Sequence, residues 1–261
     1  MSFAGQVVAV TGAAGGIGRA LCRHFAGEGA TIAAIDKSAA VEEFVGELKA
    51  LKTRASAQVA DVGVADEVMR AFSALTAELG SVDILINNAG FSEHPTFART
   101  DPKAWQHDVN GNLNGAYNCA YAVIPAMKEK RRGSIIAIGS VNGMSALGDP
   151  AYSAAKAGMI SLTRSLAVEY GRYGIRANIV LPGTVRTPLW DRKASNSPEV
   201  LARLERWYPL GRIVEPTDVA QAAAFLASDA AAAITGVALP VDCGLTAGNI
   251  VMTRELTLQD F

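Results

Sequence analysis

Short apolar runs alternate with amphipathic stretches along the whole chain. Val7-Val8-Ala9-Val10, Thr31-Ile32-Ala33-Ala34-Ile35, Ile84-Leu85-Ile86, Ser134-Ile135-Ile136-Ala137-Ile138 and Ala177-Asn178-Ile179-Val180-Leu181 read as strands. Their near-continuous hydrophobicity is what a parallel sheet covered on both faces requires. The stretches between them predict helices over about 17–28, 40–51, 65–79, 105–130 and 150–173, with a last helix near 217–227 and a last strand near 237–241. Strand, helix, strand, repeated, predicts an α/β fold: a doubly wound parallel sheet of about seven strands, flanked by helices on both faces. No linker, repeat or low-complexity segment divides it, so residues 1–261 are expected to form one domain. The least regular part, 184–212, holds Trp190, Trp207, Tyr208 and several charges, and reads either as a substrate lid or as a surface excursion.

Composition narrows the partners. A net charge of -1 gives no electrostatic footprint for nucleic acid or an anionic membrane. The most apolar late stretch, 222–238, is interrupted by Asp229 and closed by Gly236, so no membrane span is expected. The first strand begins at about Gln6, too early for a cleavable signal peptide before it. Cys22, Cys119 and Cys243 are odd in number, widely spaced and without a CxxC pair. That argues against a disulfide framework or zinc site and for thiols in a reducing, cytoplasmic compartment, with no metal expected.

The first strand–helix junction carries Thr11-Gly12-Ala13-Ala14-Gly15-Gly16-Ile17-Gly18. Gly12 permits a tight turn out of the strand, Gly16 lets backbone approach a pyrophosphate at a helix N-terminus, and Gly18 permits close packing of helix on sheet. Asp36 ends the second strand, 18 residues beyond Gly18. A carboxylate there accepts hydrogen bonds from adenosine ribose hydroxyls and repels a 2′-phosphate, which favours NAD over NADP. Lys37 follows at once and would partly offset that repulsion. Asp61-Val62, which follows a third strand between the helices 40–51 and 65–79, is placed to meet adenine. Asn87-Asn88-Ala89-Gly90 after the fourth supplies small residues against the cofactor and an amide to tie strands together.

Tyr152 and Lys156 stand four residues apart in Ala151-Tyr152-Ser153-Ala154-Ala155-Lys156, so both project from one helix face. An ammonium beside a phenol favours the phenolate and draws its pKa toward the working pH.

In this order the glycine loop, Asn87-Asn88-Ala89-Gly90, Ser140, Tyr152-(x3)-Lys156 and Pro182-Gly183 resemble the short-chain dehydrogenase/reductase family over nearly the whole chain. The resemblance implies a single-domain Rossmann-like fold, a nicotinamide cofactor and a four-residue proton machinery. In it Tyr152 is the general acid/base, Lys156 lowers the tyrosine pKa and holds the nicotinamide ribose, and Ser140 steadies the substrate oxygen. Asn112, in Asn112-Leu113-Asn114-Gly115, kinks its helix and anchors a water beside the lysine. Pro182, Gly183, Val185 and Thr187 match the segment that holds the nicotinamide carboxamide. Two departures stand out. Twelve residues separate Ser140 from Tyr152, one fewer than is usual, and Cys243 stands where a glycine is usual.

For a small-molecule substrate the pocket candidates are Phe91, Ser92, His94, Asn142, Met144, Leu147, Trp190 and Trp207. Ser140, Asn142, His94 and Trp190 are taken as its polar and aromatic contacts. Arg192 and Lys193 would meet an acidic substrate. The mixture suits a secondary alcohol, polyol or hydroxy-ketone. The expected activity is an NAD-dependent dehydrogenase interconverting such an alcohol and its ketone. The competing readings are an NADPH-dependent carbonyl or 3-oxoacyl thioester reductase, disfavoured by Asp36 and by Ala14 in place of a base, and a sugar-nucleotide epimerase, disfavoured by the chain length. A non-catalytic dinucleotide sensor is a further alternative. By analogy with the family, the tail 248–261 packs at a subunit interface and the protein is a homotetramer.

Overall fold

The structure is a computed structural model that describes residues 1–188, 190, 195 and 199–259. Seven strands form one parallel sheet in the order β3-β2-β1-β4-β5-β6-β7. They are β1 (Val7–Thr11), β2 (Thr31–Asp36), β3 (Ala55–Val59), β4 (Ile84–Asn87), β5 (Gly133–Ile138), β6 (Ile175–Pro182) and β7 (Ala238–Val241). The central strands β1, β4 and β5 are buried at every position, as their unbroken apolar runs require.

Three helices cover one face: α1 (Gly16–Gly27), α2 (Ala40–Ala50) and α8 (Pro216–Ala227). Their apolar residues Leu21, Phe25, Phe44, Val219 and Ala223 join Val8, Val10, Ile32 and Ile86 in one core. The opposite face is covered by α3 (Ala65–Leu79), α5 (Gly115–Lys130) and α6 (Pro150–Tyr170), which bring Phe72, Leu75, Val123, Met127 and Met159 onto the sheet. Further helices are α4 (Pro102–Val109), α7 (Glu199–Glu205) and a terminal α9 (Ile250–Thr257). No helix among the described residues is long and apolar enough to cross a membrane.

The winding direction reverses between β1 and β4, and the crevice outside their carboxyl ends is where such sheets bind ligands. The glycine loop, Asp36, Asp61 and Asn88 all leave the sheet at that end.

The structure corrects the single helix expected over 105–130. The helical stretch starts at Pro102, with Asp101 capping it through bonds to the N–H groups of Lys103 and Ala104. It then passes through a π-turn, Asn110–Asn114, before α5 begins. In the tail, Asn249 caps α9 by accepting from the N–H of Met252.

Candidate active site

A cleft of about 500 Å³ lies over the crevice, lined by the glycine loop, Asp36, Lys37, Asp61, Val62, Asn88, Ala89, Gly90, Phe91, Thr187 and Pro188. Its floor is set by close backbone approaches. Gly12 has φ +64, and a Cβ there would lie 2.9 Å from Ala89 Cα. A Cβ on Gly18 would collide with the Gly12 carbonyl oxygen. Helix α1 begins at Gly16 behind an N-cap, Gly15, that makes no side-chain capping bond. Its first N–H groups therefore face the cleft without a side-chain acceptor, which suits an anion such as a pyrophosphate. Gly16 packs close to Thr187 and Pro188, a Cβ there lying 3.1 Å from each side chain.

Thr11, which the sequence reading passed over, holds the loop in place. Its hydroxyl accepts from the N–H groups of both Asn88 and Ala89, while Asn88 Nδ2 donates to the carbonyls of Thr11 and Gly12. The tie between β1 and β4 expected of an asparagine is thus made by Asn88. Asn87 turns the other way, donating to the Ala116 carbonyl.

Asp36 sits at the far end of the cleft. One carboxylate oxygen accepts from Ala14 N–H and the other from Ser38 N–H, both at 2.9 Å. Two fixed donors orient the group and leave lone pairs for further hydroxyls. Lys37 turns its ammonium over the Phe91 ring, 4.7 Å from the centroid. Asp61 closes its own turn by accepting from Gly63 N–H. Amides of α5 and the π-turn hold that turn, through Asn118 to the Val62 carbonyl and Asn110 to the Gly63 carbonyl.

Beyond the cleft the four candidate catalytic side chains come together at the carboxyl ends of β4 and β5. Lys156 is buried, its ammonium 3.0 Å from the Ile138 carbonyl, and lies 5.3 Å from the centre of the Tyr152 ring. Burial draws its pKa down from 10.5 to about 8. Ser140 faces the Tyr152 hydroxyl and favours its ionised form, while the Ser140 hydroxyl donates to Asn142 Oδ1 and its oxygen accepts from Asn142 N–H. Asn112 is fully buried in the π-turn. Its Nδ2 donates to the carbonyls of Asp108 and Phe91, and its Oδ1 has no partner. The kink expected at this asparagine is the π-turn itself, because the amide ties up the Asp108 carbonyl that a continuous α-helix would spend on residue 112.

One expectation is overturned. In the free protein the Tyr152 pKa is raised: burial of the phenol outweighs the Ser140 bond, and Asp149 adds to the rise. The Lys156 ammonium points to the Ile138 carbonyl and is itself buried, so proximity along the helix does not deliver the lowering that spacing suggested.

The β6 end carries Pro182, Gly183, Val185 and Thr187. Val185 bridges Val214 through the Thr184 carbonyl and the Arg186 N–H, so the peptide groups of Val185 face the opposite side. Behind them Tyr208 is buried, with its hydroxyl accepting from Thr184 N–H. This residue, read as part of the irregular segment, is a prop for the β6 end. Trp190 donates its N–H to the Thr187 carbonyl. It does not line the cleft, and Arg192 and Lys193 lie outside the described residues.

Around the substrate space, Asn142 Nδ2 reaches the Ser153 hydroxyl and Gly148 carbonyl, closing the shortened loop between Ser140 and Tyr152. Met144 and Leu147 on that loop are half exposed. His94 pairs with Asp108, Nδ1 to Oδ2 at 3.3 Å. Asp108 was not singled out from the sequence, although a carboxylate on an apolar helix face one turn before Asn112 was the available signal. Cys243 has φ +52, a left-handed conformation that explains why glycine is the usual occupant.

Residues 12–246 match a family model described as enoyl-(acyl carrier protein) reductase. The chain is 44% identical over 257 residues to an uncharacterized oxidoreductase, C922.06, of Schizosaccharomyces pombe, covering 98% of this chain and 96% of that protein. It is similar in structure to an oxidoreductase of the short-chain dehydrogenase/reductase family from Burkholderia thailandensis, with 48% identity, a TM-score of 0.91 and 98% of each chain covered. A gluconate 5-dehydrogenase from Burkholderia cenocepacia J2315, solved with NADP and tartrate, is 32% identical with a TM-score of 0.89, over 95% of this chain and 97% of that one.

Proposed function

The chain belongs to the short-chain dehydrogenase/reductase family of oxidoreductases, and from that premise we propose that it is an NAD-dependent dehydrogenase of a secondary alcohol, polyol or hydroxy-ketone. The observation that carries this reading is the convergence of Ser140, Tyr152, Lys156 and Asn112 beside a glycine-lined cleft that ends on a fixed carboxylate.

The cleft fits a dinucleotide. Uncapped N–H groups of α1 would take the pyrophosphate, Asp36 the adenosine ribose, and the turn at Asp61-Val62 the adenine. Tyr152 and Lys156 would hold the nicotinamide ribose, and the peptide groups of Val185 with the Thr187 hydroxyl the carboxamide. When bound, the cofactor supplies the two-electron redox chemistry, exchanging a hydride with the carbon of the substrate.

This chain's residues manage the oxygen and its proton. Ser140, held by Asn142 and facing Tyr152, fixes the substrate oxygen. Tyr152 exchanges the proton with it. With its pKa raised, the phenol is protonated at neutral pH, ready to donate in ketone reduction. Alcohol oxidation needs that proton removed first, so its rate rises with pH while ketone reduction falls.

The fixed carboxylate of Asp36 supports NAD over NADP, since a 2′-phosphate would meet a negative charge. Lys37, the nearest base in sequence, is engaged over Phe91. The NADP bound to the gluconate 5-dehydrogenase keeps the phosphate-bearing cofactor as the competing reading. The test is NADH formation, followed by absorbance, across a panel of secondary alcohols, polyols and hydroxy-ketones. Turnover of at least one class with NAD is expected. Cofactor binding with no oxidation anywhere in the panel would favour a non-catalytic dinucleotide binder.

A further inference from the structure

We propose that Asp108 and His94 form the outlet through which the reaction's proton leaves the buried site. The proposal rests on the dehydrogenase reading above. Oxidation of a secondary alcohol gives a ketone, the reduced cofactor and one proton: the C–H bond breaks as a hydride and the O–H proton passes to Tyr152. That proton must then reach water. Lys156 is 3% exposed and Asn112 0%, so neither returns it to solvent directly.

Asp108 is 1% exposed and lies just before the π-turn, inside the helical run that goes on through α5. Burying a carboxylate there is costly, and groups of this kind persist where they serve chemistry. Its Oδ2 meets His94 Nδ1, and its Oδ1 is buried with no partner. One turn later Asn112 Oδ1 is also buried and unpartnered. A Cβ placed on Gly90 would lie 3.1 Å from Lys156 Nζ and closer still to Asn112 Oδ1, so the ammonium and the amide oxygen border the same small space. Two orphan acceptors on successive turns, with an ammonium beside one of them, call for water between them.

His94 is the outer end, with a quarter of its side chain exposed. Its loop is fastened on both sides, by the Phe91 carbonyl accepting from Asn112 and the Pro95 carbonyl accepting from Asp149 N–H. The charged neighbours are Lys156 on the inner side and the surface pair His107 and Glu93 on the outer. The Asp108–His94 pair takes up the proton as a unit, and the imidazole returns it to solvent.

A pair that only fastened the loop would predict no proton-specific defect. Single-turnover stopped flow on Asp108→Asn and His94→Gln, in dilute buffer with a pH indicator, separates the two roles. In the wild type, NADH formation and proton release coincide. In both variants release is expected to lag about tenfold behind NADH formation, and steady-state kcat to recover as imidazole is added as an external carrier. Synchronous release in either variant, or a defect that imidazole does not relieve, overturns the outlet. NADH titration confirms that the variants are folded. The free protein gives a second readout: ¹⁵N spectra should show His94 protonated at Nδ1 in the wild type and altered in Asp108→Asn, and an Nε2–H tautomer in the wild type overturns the pairing. A wild type that oxidises no alcohol refutes the dehydrogenase reading instead.

Discussion

Replacing Tyr152 by phenylalanine is expected to lower kcat by about a thousandfold or more while leaving the fold intact. The ring remains, so the packing beneath the Lys156 ammonium, 5.3 Å from its centre, is kept. Only the hydroxyl is lost, and with it the group that Ser140 faces. General acid–base catalysis contributes about 10²–10⁴ to a rate, and Ser140 offers a hydrogen bond but no comparable base. NADH affinity should change by no more than about tenfold, the worth of one ribose hydrogen bond. Measuring kcat beside NADH fluorescence distinguishes the two effects. Turnover retained within tenfold would remove Tyr152 from the chemistry.

Lys156→Met is expected to do two opposite things: abolish turnover and raise stability at neutral pH. The lysine is buried and its pKa is drawn down from 10.5 to about 8. Below about pH 8 the ammonium is charged in both folded and unfolded chains, and the folded state bears the whole desolvation cost. Between about 8 and 10.5 the unfolded chain binds more protons than the folded one, so wild-type stability rises with pH. A depression of that size corresponds to about 3 kcal/mol, from which the lost bond to the Ile138 carbonyl subtracts about 1 kcal/mol. The variant should therefore be about 2 kcal/mol more stable at pH 7, with the advantage shrinking as pH rises through that window. Urea denaturation at pH 7 and pH 10 measures it. A variant less stable at both values would mean that the ammonium is not held at a cost.

What the chain made legible was whatever rests on local pattern. Unbroken apolar runs announced a parallel sheet because a strand buried on both faces has no polar positions to spare. The glycine loop, Asp36 and the tyrosine–lysine pair declare themselves through spacing along a single turn or helix. The rest depends on contacts between distant segments. The π-turn at Asn110–Asn114 exists because Asn112 reaches both Asp108 and Phe91, 21 residues away. Thr11 acts by receiving two N–H groups more than 70 residues on. Tyr208 reads as a lid residue until its hydroxyl is seen under Thr184. The raised Tyr152 pKa is hidden for the same reason: spacing reveals a neighbour's charge, whereas burial is a property of the whole packed site.

The measurement that bears most directly on the central claim is a titration of the purified protein with NADH and with NADPH, read by nicotinamide fluorescence, repeated on Asp36→Ala. A carboxylate fixed by Ala14 and Ser38 should make NADH bind at least about tenfold more tightly than NADPH, with the gap closing in the variant. Equal or tighter NADPH binding by the wild type would contradict the account and move the NADPH-dependent reductase reading ahead.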